Sequence, residues 1–271
     1  MIPHSSWILA YACSSLFFIT STMSIQLPRI LEKGADLASP SMPSVDCVRV
    51  ITMQGSDTLS WLEAQLRQLG LWSRTLVQVE EPDPEGGMAG CFHAHVRAWQ
   101  ASQACRNLLV LEDDAFFENG TVQRGMHHVE AFLQSEPVYD LMLLGWSGHP
   151  TPPESVSVRQ VEGVECIFAI TGTWALTHAY IISNTAMHDF KGMQWKEHST
   201  AIDHDLSSFR DRGLFVTVRP EIAFQRAHPL TTTETPFHNA SSILKAWTEW
   251  MHYYDEGPVY AASDLANSCR P

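Results

Sequence analysis

Hydrophobic and polar positions along this chain follow two periods that take turns. Short apolar runs, "DCVRVITM" (46–53), "TLVQV" (75–79), "NLLVLE" (107–112) and "YDLMLLG" (139–145), read as strands. Stretches with apolar residues three or four apart fall between them. "SDTLSWLEAQLRQLG" (56–70) predicts a helix capped at Ser56 or Asp57, with Leu59, Leu62, Leu66 and Leu69 on one face and Gly70 ending it. "CFHAHVRAWQASQA" (91–104) and "QRGMHHVEAFLQ" (123–134) predict two more helices. Strand and helix alternating in this way give a parallel sheet with right-handed crossovers. Beyond residue 145 the rhythm shortens: "SVSVRQV", "VECIFAI" and "WALTHAYIIS" suggest partly antiparallel strands, "NTAMHDF" and "AIDHDLSSFRDRG" helical turns, and "LFVTVRP" a last strand. "SSILKAWTEWMHYYDEG" (241–257) reads as a closing amphipathic helix. The fold class is therefore α/β, a mostly parallel nucleotide-binding sheet flanked by helices with a mixed, acceptor-side half.

Leu108–Leu111 suit a strand covered on both faces, yet the run ends in three adjacent carboxylates, Glu112, Asp113 and Asp114. Alternation puts Glu112 and Asp114 on one side and Asp113 on the other. A hard divalent cation held by oxygen ligands relieves such crowding; a helix N-terminus, where acids complement the macrodipole, is the other reading. A second acidic group, Asp203, His204 and Asp205, precedes a helical pattern. There Asp203 serves either as an N-cap or, with Asp205, as a base facing the first group. On the 91–104 helix His93 lies one turn from Arg97, and His95 one turn from Trp99. Arg97 can supply charge to a phosphate or pair with a carboxylate at a strand end.

Thirty acidic against 17 basic residues leave a net charge of −13 in 271 residues, which argues against nucleic acid and anionic lipid as partners. An anionic substrate would need a cation to approach. A hydrophobic content of 45% suits a full globular core. The first 28 residues carry no Lys, Arg, Asp or Glu, so residues 1–25 read as a signal peptide or membrane anchor and 26–44 as a stem, with the globular domain from 45 to 271. Secretory-pathway entry or membrane association through the N-terminus follows; a cytoplasmic location stays open. The sequons at Asn119 and Asn239 agree with a luminal site. Six cysteines without zinc spacing read as small buried hydrophobes more than as a disulfide framework, with at least one left free or intermolecular once the leader is removed.

Taken in order, "AGCFHAHVRAW", "NLLVLEDDAFF", "YDLMLLG", "GTWALTHAYIIS" and "IDHDLSSFRDRGLFVTVRPEIAFQ" resemble glycosyltransferase family 25, which includes lipooligosaccharide and collagen hydroxylysine galactosyltransferases, over residues 48–225. The resemblance implies a GT-A type fold, a UDP-sugar donor such as UDP-galactose, Mn²⁺ or Mg²⁺, and inversion at the anomeric carbon. The acceptor would be a glycan, lipid or protein. Gly90, Cys91, His95, Arg97 and Trp99 match the family's helix motif, Glu112, Asp113 and Asp114 its acidic motif, and Gly172, Thr173, Ala179 and Tyr180 the segment before the second acidic site. Asp203 and His204 match that second site, and Pro220 and Gln225 the segment beyond it. For such a transfer Asp205 or Asp203 would serve as the catalytic base; Glu112, Asp113, Arg97, His95, Gly172 and Thr173 would bind the donor; and Asp114, Glu112 and His204 would hold the metal. The family's Arg-rich turn after the first strand is missing from "TMQGSDTLSW", which keeps open a catalytically silent sugar-nucleotide or glycan binder.

Overall fold

Eleven stretches carry the fold in the computed structural model, which describes residues 42–117, 122–145, 147–148, 156–172, 174–175, 177–195, 202–207, 209, 214–219, 221–225 and 269. The leader, most of the stem, both sequons and the closing helix expected at 241–257 lie outside them. In chain order the elements are β1 (Cys47–Met53), α1 (Leu59–Gln68), β2 (Thr75–Glu80), α2 (Gly87–Gln100), β3 (Asn107–Glu112), β4 (Ala115–Phe117) and α3 (Val122–Gln134). They continue as β5 (Leu141–Leu143), β6 (Ser147–Gly148), β7 (Val156–Gln160), β8 (Ile167–Gly172), β9 (Trp174–Ala175) and β10 (Ala179–Ser183). The last are α4 (Asn184–Phe190), α5 (Ile202–Ser207), β11 (Phe215–Val218) and β12 (Ala223–Gln225).

Eight strands form one sheet in the order β2-β1-β3-β10-β5-β11-β8-β7. β2, β1 and β3 are parallel, β10 runs against both β3 and β5, and β5 is parallel to β11. β8 then runs against β11 and β7 against β8. The mixed half expected from the shorter runs is thus β10, β8 and β7 threaded through and beside parallel strands. Two ribbons, β4–β12 and β6–β9, grow from segments next to the carboxyl ends of β3, β5 and β11.

Alternation along β3 fixes the layers. Leu109 and Leu111 pack with Val48, Val50, Leu62 and Leu66 on the α1/α3 face, while Leu108 and Val110 pack with Phe92, Trp99 and Tyr180 on the α2 face. Each such side chain contributes about 1.5–3 kcal/mol of burial free energy. Helix α1 begins after Thr58, which takes the N-cap position without a side-chain cap bond, rather than at Ser56 or Asp57; the Ser56 hydroxyl bonds Thr58 instead. Gly70 (φ 66°) ends the segment in the left-handed region, as its position predicts. Residues of the expected stem belong to the packed body: Met42 is buried, and Ser44 holds the Glu130 carboxylate of α3 from both its amide and its hydroxyl.

The reading of the cysteines as small buried hydrophobes is overturned. Cys47 bonds Cys105 and Cys166 bonds Cys269, Cys91 is also disulfide-bonded, and none of the described cysteines is free. The spacing hides the first pair because strand order creates it: β1 and β3 are neighbours, so residues 58 apart in sequence have Cα atoms 5.9 Å apart. Among the described residues no helix is long and apolar enough to cross a membrane.

Candidate functional site

From β1 the chain passes through α1 to β2 on one side, and from β3 it departs towards β5 on the other. Open α/β sheets bind ligands in the crevice where neighbouring strands send the chain in opposite directions, outside their carboxyl ends. By that rule the crevice is expected beyond Thr52 and Met53 of β1 and Glu112 of β3. The acidic triplet sits on its rim.

The three carboxylates are divided by the geometry. Glu112 faces α2, accepting from His95 Nε2 (3.3 Å) and from the Thr177 hydroxyl (3.3 Å). Asp113 turns to the other side and accepts from the Thr52 hydroxyl (2.6 Å), a bond across the crevice floor between β1 and β3. Asp114 follows in the two-residue turn before β4, where strand alternation no longer governs, and is 2% exposed. The expected opposition of Glu112 and Asp113 is what the sheet produces; Asp114 is placed by the turn and by the β4–β12 ribbon.

His178, the residue before β10, stands opposite Glu112, whose amide donates to the His178 carbonyl (2.9 Å). Burial lowers the His178 pKa against the opposing pull of the Glu112 carboxylate and the Ala223 carbonyl, so the ring is neutral at pH 7. Its Nε2–H donates to Ala223 O (3.3 Å), while Nδ1 finds no hydrogen-bond partner among the described residues. Gly145, at the end of the "YDLMLLG" strand, leaves room for this contact: a Cβ there would lie 1.8 Å from Ala223 O and 2.8 Å from His178 Nε2.

Burial pushes the Glu112 carboxyl up, but the His95 hydrogen bond, the neighbouring imidazoles and the Thr177 hydroxyl outweigh it and hold its pKa below the ordinary value. A depressed carboxyl stabilises the fold above its unfolded pKa, near about 4.3, and that contribution fades as pH falls through the lower folded value. Glu112→Gln therefore costs about 1–2 kcal/mol at pH 7, and the gap to the parent narrows in acid. Urea unfolding at pH 7 and at about pH 3 checks this; a gap of equal size at both would contradict it.

Arg97 does not reach the triplet. It pairs with Glu80 at the end of β2, while His93 on the same helix face bonds Asp83 (2.8 Å), so this face is fastened to the loop after β2. The second acidic group is helical from Ile202 onward, so Asp203 is not the N-cap. Residues two apart on a helix point in different directions: Asp203 is buried beside Ile202 and Leu206, and Asp205 is half-buried. Helix α5 packs against α2 and β9, which brings the segment to the helix that carries His95. His204 belongs to α5, with its side chain outside the described set. Gly172 ends β8 opposite Val156, at the amino edge of the parallel strands, because β8 runs against β11. It is not brought to Glu112, and Thr173 lies outside the described residues.

Two clusters have metal-ligand spacing among the described residues, Asp46/Cys47/Cys105 and Cys91/His95/Glu112. Disulfide bonding removes the thiolates from both. Thr52, Thr177 and His178 do not stand out in the sequence. A signal for two of them is nonetheless present: polar "TH" precedes apolar "AYII" in β10, as polar "EDD" follows apolar "LLVL" in β3, and antiparallel pairing sets the two polar ends side by side.

No family model matches the chain and no curated protein does. Among solved structures it is similar to UDP-glucose pyrophosphorylase complexed with UDP-glucose (11% identity, 74% of this chain and 81% of that one, TM-score 0.42). It is similar also to mannose-1-phosphate geranyltransferase from Thermus thermophilus (10%, 64% and 74%, 0.41). A third likeness is to inositol-1-phosphate CTP transferase from T. maritima (16%, 72% and 76%, 0.38). Likeness at this level carries no argument about what this chain does.

Proposed function

We propose that the protein is a divalent-cation-dependent, inverting glycosyltransferase of the family 25 kind, taking a hexose from a UDP-sugar, with UDP-galactose the first donor to test. The observation that carries this reading is the rim of the β1/β3 crevice, where Asp113 is tied to Thr52 and two further acids stand beside it. A ligand bound there meets carboxylates and no described basic residue of the turn after β1 (residues 54–58). A nucleotide diphosphate therefore needs a cation to approach. Asp113 and Asp114 are the groups to hold it: they offer hard oxygen donors, and Mg²⁺ or Mn²⁺ is commonly held by one or two carboxylates together with substrate phosphates. Such an ion would neutralise charge on the departing diphosphate. Glu112, braced from the α2 side, is left to accept from donor hydroxyls. The acceptor hydroxyl of a glycan, lipid or protein needs a base, and Asp205 is the more exposed of the two acids of α5. The disulfides support maturation in an oxidising compartment, in keeping with the secretory route expected from the leader.

Arg97 is occupied by Glu80, and that favours one second reading, a protein that binds the donor without turning it over. The assays separate the two. UDP-galactose at about 100 times its Kd stabilises the fold by about 2.7 kcal/mol, so the melting temperature should rise with Mn²⁺ present and not in EDTA. Release of UDP, lost in Asp114→Ala and kept in Gly192→Ala, marks a transferase; a thermal shift without UDP release marks a silent binder. Pyrophosphate release from a nucleoside triphosphate would instead mark a nucleotidyl transfer. If no UDP-sugar shifts the melting temperature, the reading fails.

A further inference from the structure

A buried row of side chains runs from the core to the crevice on the α2 face. Trp99 Nε1 lies 2.9 Å from the Tyr180 hydroxyl, Tyr180 lies 2.8 Å from His95 Nδ1, and His95 Nε2 lies 3.3 Å from Glu112 Oε1. Trp99, Tyr180 and His95 are all fully buried, and the His95 and Tyr180 rings stack with centroids 5.6 Å apart. The direction of this chain is fixed by elementary bookkeeping. An indole N–H only donates, so Tyr180 accepts from Trp99. The phenol has one hydrogen, burial raises its pKa well above the ordinary value so that it keeps it, and the acceptor within reach is His95 Nδ1. His95 then carries its hydrogen on Nε2 and donates to Glu112. Every polar hydrogen in the row has a partner in this arrangement and in no other. A His95 protonated on Nδ1 would meet a phenol oxygen already receiving one hydrogen and leave the phenol's own hydrogen buried without an acceptor, a costly outcome.

We infer that Trp99 and Tyr180 are positioning residues: by fixing the His95 ring through its Nδ1 side they orient the Glu112 carboxylate at the carboxyl end of β3. The inference deepens the reading of the crevice as a donor site and rests on it for the identity of what Glu112 meets. Around Glu112 stand His95 from α2, Thr177 and His178 from the β10 segment, and Asp113 and Asp114 from its own turn, so a hydrogen bond aimed by a rigid row decides which way the carboxylate faces among groups of both kinds. The ligand chemistry it suits is a neutral hydroxyl. A vicinal diol of a ribose or hexose can donate to a carboxylate whose direction is fixed in this way.

Nitrogen-15 NMR of the full-length protein, with His95 identified by comparison with His95→Gln, reads the tautomer directly and needs no ligand. The expected wild-type state is hydrogen on Nε2 alone. Tyr180→Phe keeps the ring and removes the hydroxyl that donates to Nδ1, so the Nδ1 resonance should move to that of a ring nitrogen without a hydrogen bond while Glu112 keeps the hydrogen on Nε2, and the Kd for a UDP-sugar with Mn²⁺ should rise about tenfold, the factor that one lost hydrogen bond implies. Trp99→Phe leaves the hydroxyl in place but frees its orientation and should produce the same changes more weakly; it serves if Tyr180→Phe does not fold. A wild-type His95 protonated on Nδ1, or an unchanged Nδ1 resonance in Tyr180→Phe, overturns the row. Unchanged donor affinity alongside a shifted Nδ1 resonance overturns the positioning role. If the wild type binds no UDP-sugar, the proposed function has failed and not the row, whose tautomer test stands independently.

Discussion

Gly145→Ala should unfold the carboxyl edge of the sheet locally and cost about 3 kcal/mol or more. The added Cβ would lie 1.8 Å from a backbone oxygen, that of Ala223, and not from the end of a flexible side chain, so relief requires strand-end backbone to move. Two amides hold that backbone in place, Ile222 N (3.0 Å) and Ala223 N (3.2 Å), both donating to Leu144 O. Displacing Ala223 also breaks its bond with His178 and pulls on β12, whose pairing with β4 sets the turn that carries Asp113 and Asp114. A single methyl group thus acts at three places in the candidate site. Ligand-induced stabilisation should be lost together with fold stability. Gly192→Ala, where nothing lies within 4 Å of the added Cβ, is the matched control and should stay within about 0.5 kcal/mol of the parent. Equal unfolding midpoints in urea for the two variants would show that the close approach at Gly145 is not a constraint.

The strands and helices that position this edge are legible in the sequence because their periods are local. Leu59, Leu62, Leu66 and Leu69 announce α1 wherever it packs, and the apolar run of β3 announces an interior strand. The acidic end of β3 is legible for the same reason, being a break in a pattern. What the pattern does not contain is the partner. His95 is visible as one turn from Trp99, but that both converge on Tyr180, more than 80 residues later, depends on β10 inserting between β3 and β5. Arg97 has two readings because a helix face is defined by spacing, whereas its occupant is defined by the loop it meets, here Glu80. The second acidic group precedes its helix in the sequence pattern but lies inside it in the fold: once the helix starts at Ile202, a spacing of two sends Asp203 inward and leaves Asp205 near the surface. Gly172 shows the limit of transferring a motif without the strand direction, since the reversal of β8 carries its end to the far edge.

Removing the Cys47–Cys105 bridge as Cys47→Ala/Cys105→Ala should lower the unfolding free energy by about 4 kcal/mol. The bridge closes a segment spanning 58 residues that includes α1, β2 and α2, so without it the unfolded chain regains the freedom of nearly the whole first half of the sheet. In the native state it also clamps the start of β1 to the loop entering β3, next to Asp46, whose carboxylate receives the Arg106 and Asn107 amides (2.8 Å each). The two strands that form the crevice are therefore cross-linked at their amino ends, and at their carboxyl ends the Thr52–Asp113 bond joins them again. The second bridge should behave differently in kind: Cys166 has φ +59°, a left-handed conformation that a cysteine adopts at a cost, and its carbonyl accepts from Arg219 N (2.9 Å). Losing Cys269 releases that constraint at the β8 end of the sheet, away from the crevice. The check is a urea titration of the unreduced protein, the reduced protein and each bridge variant, with thiol counting after denaturation. Of the two bridge variants only Cys47→Ala/Cys105→Ala should also weaken donor binding, because that bridge holds β1 against β3, and the fully reduced protein, which also loses the Cys91 bridge, should be destabilised by at least the two losses together. Reactive thiols at all of Cys47, Cys105, Cys166 and Cys269 in the unreduced, denatured protein would remove both bridges from the native state, and with them the case for folding in an oxidising compartment.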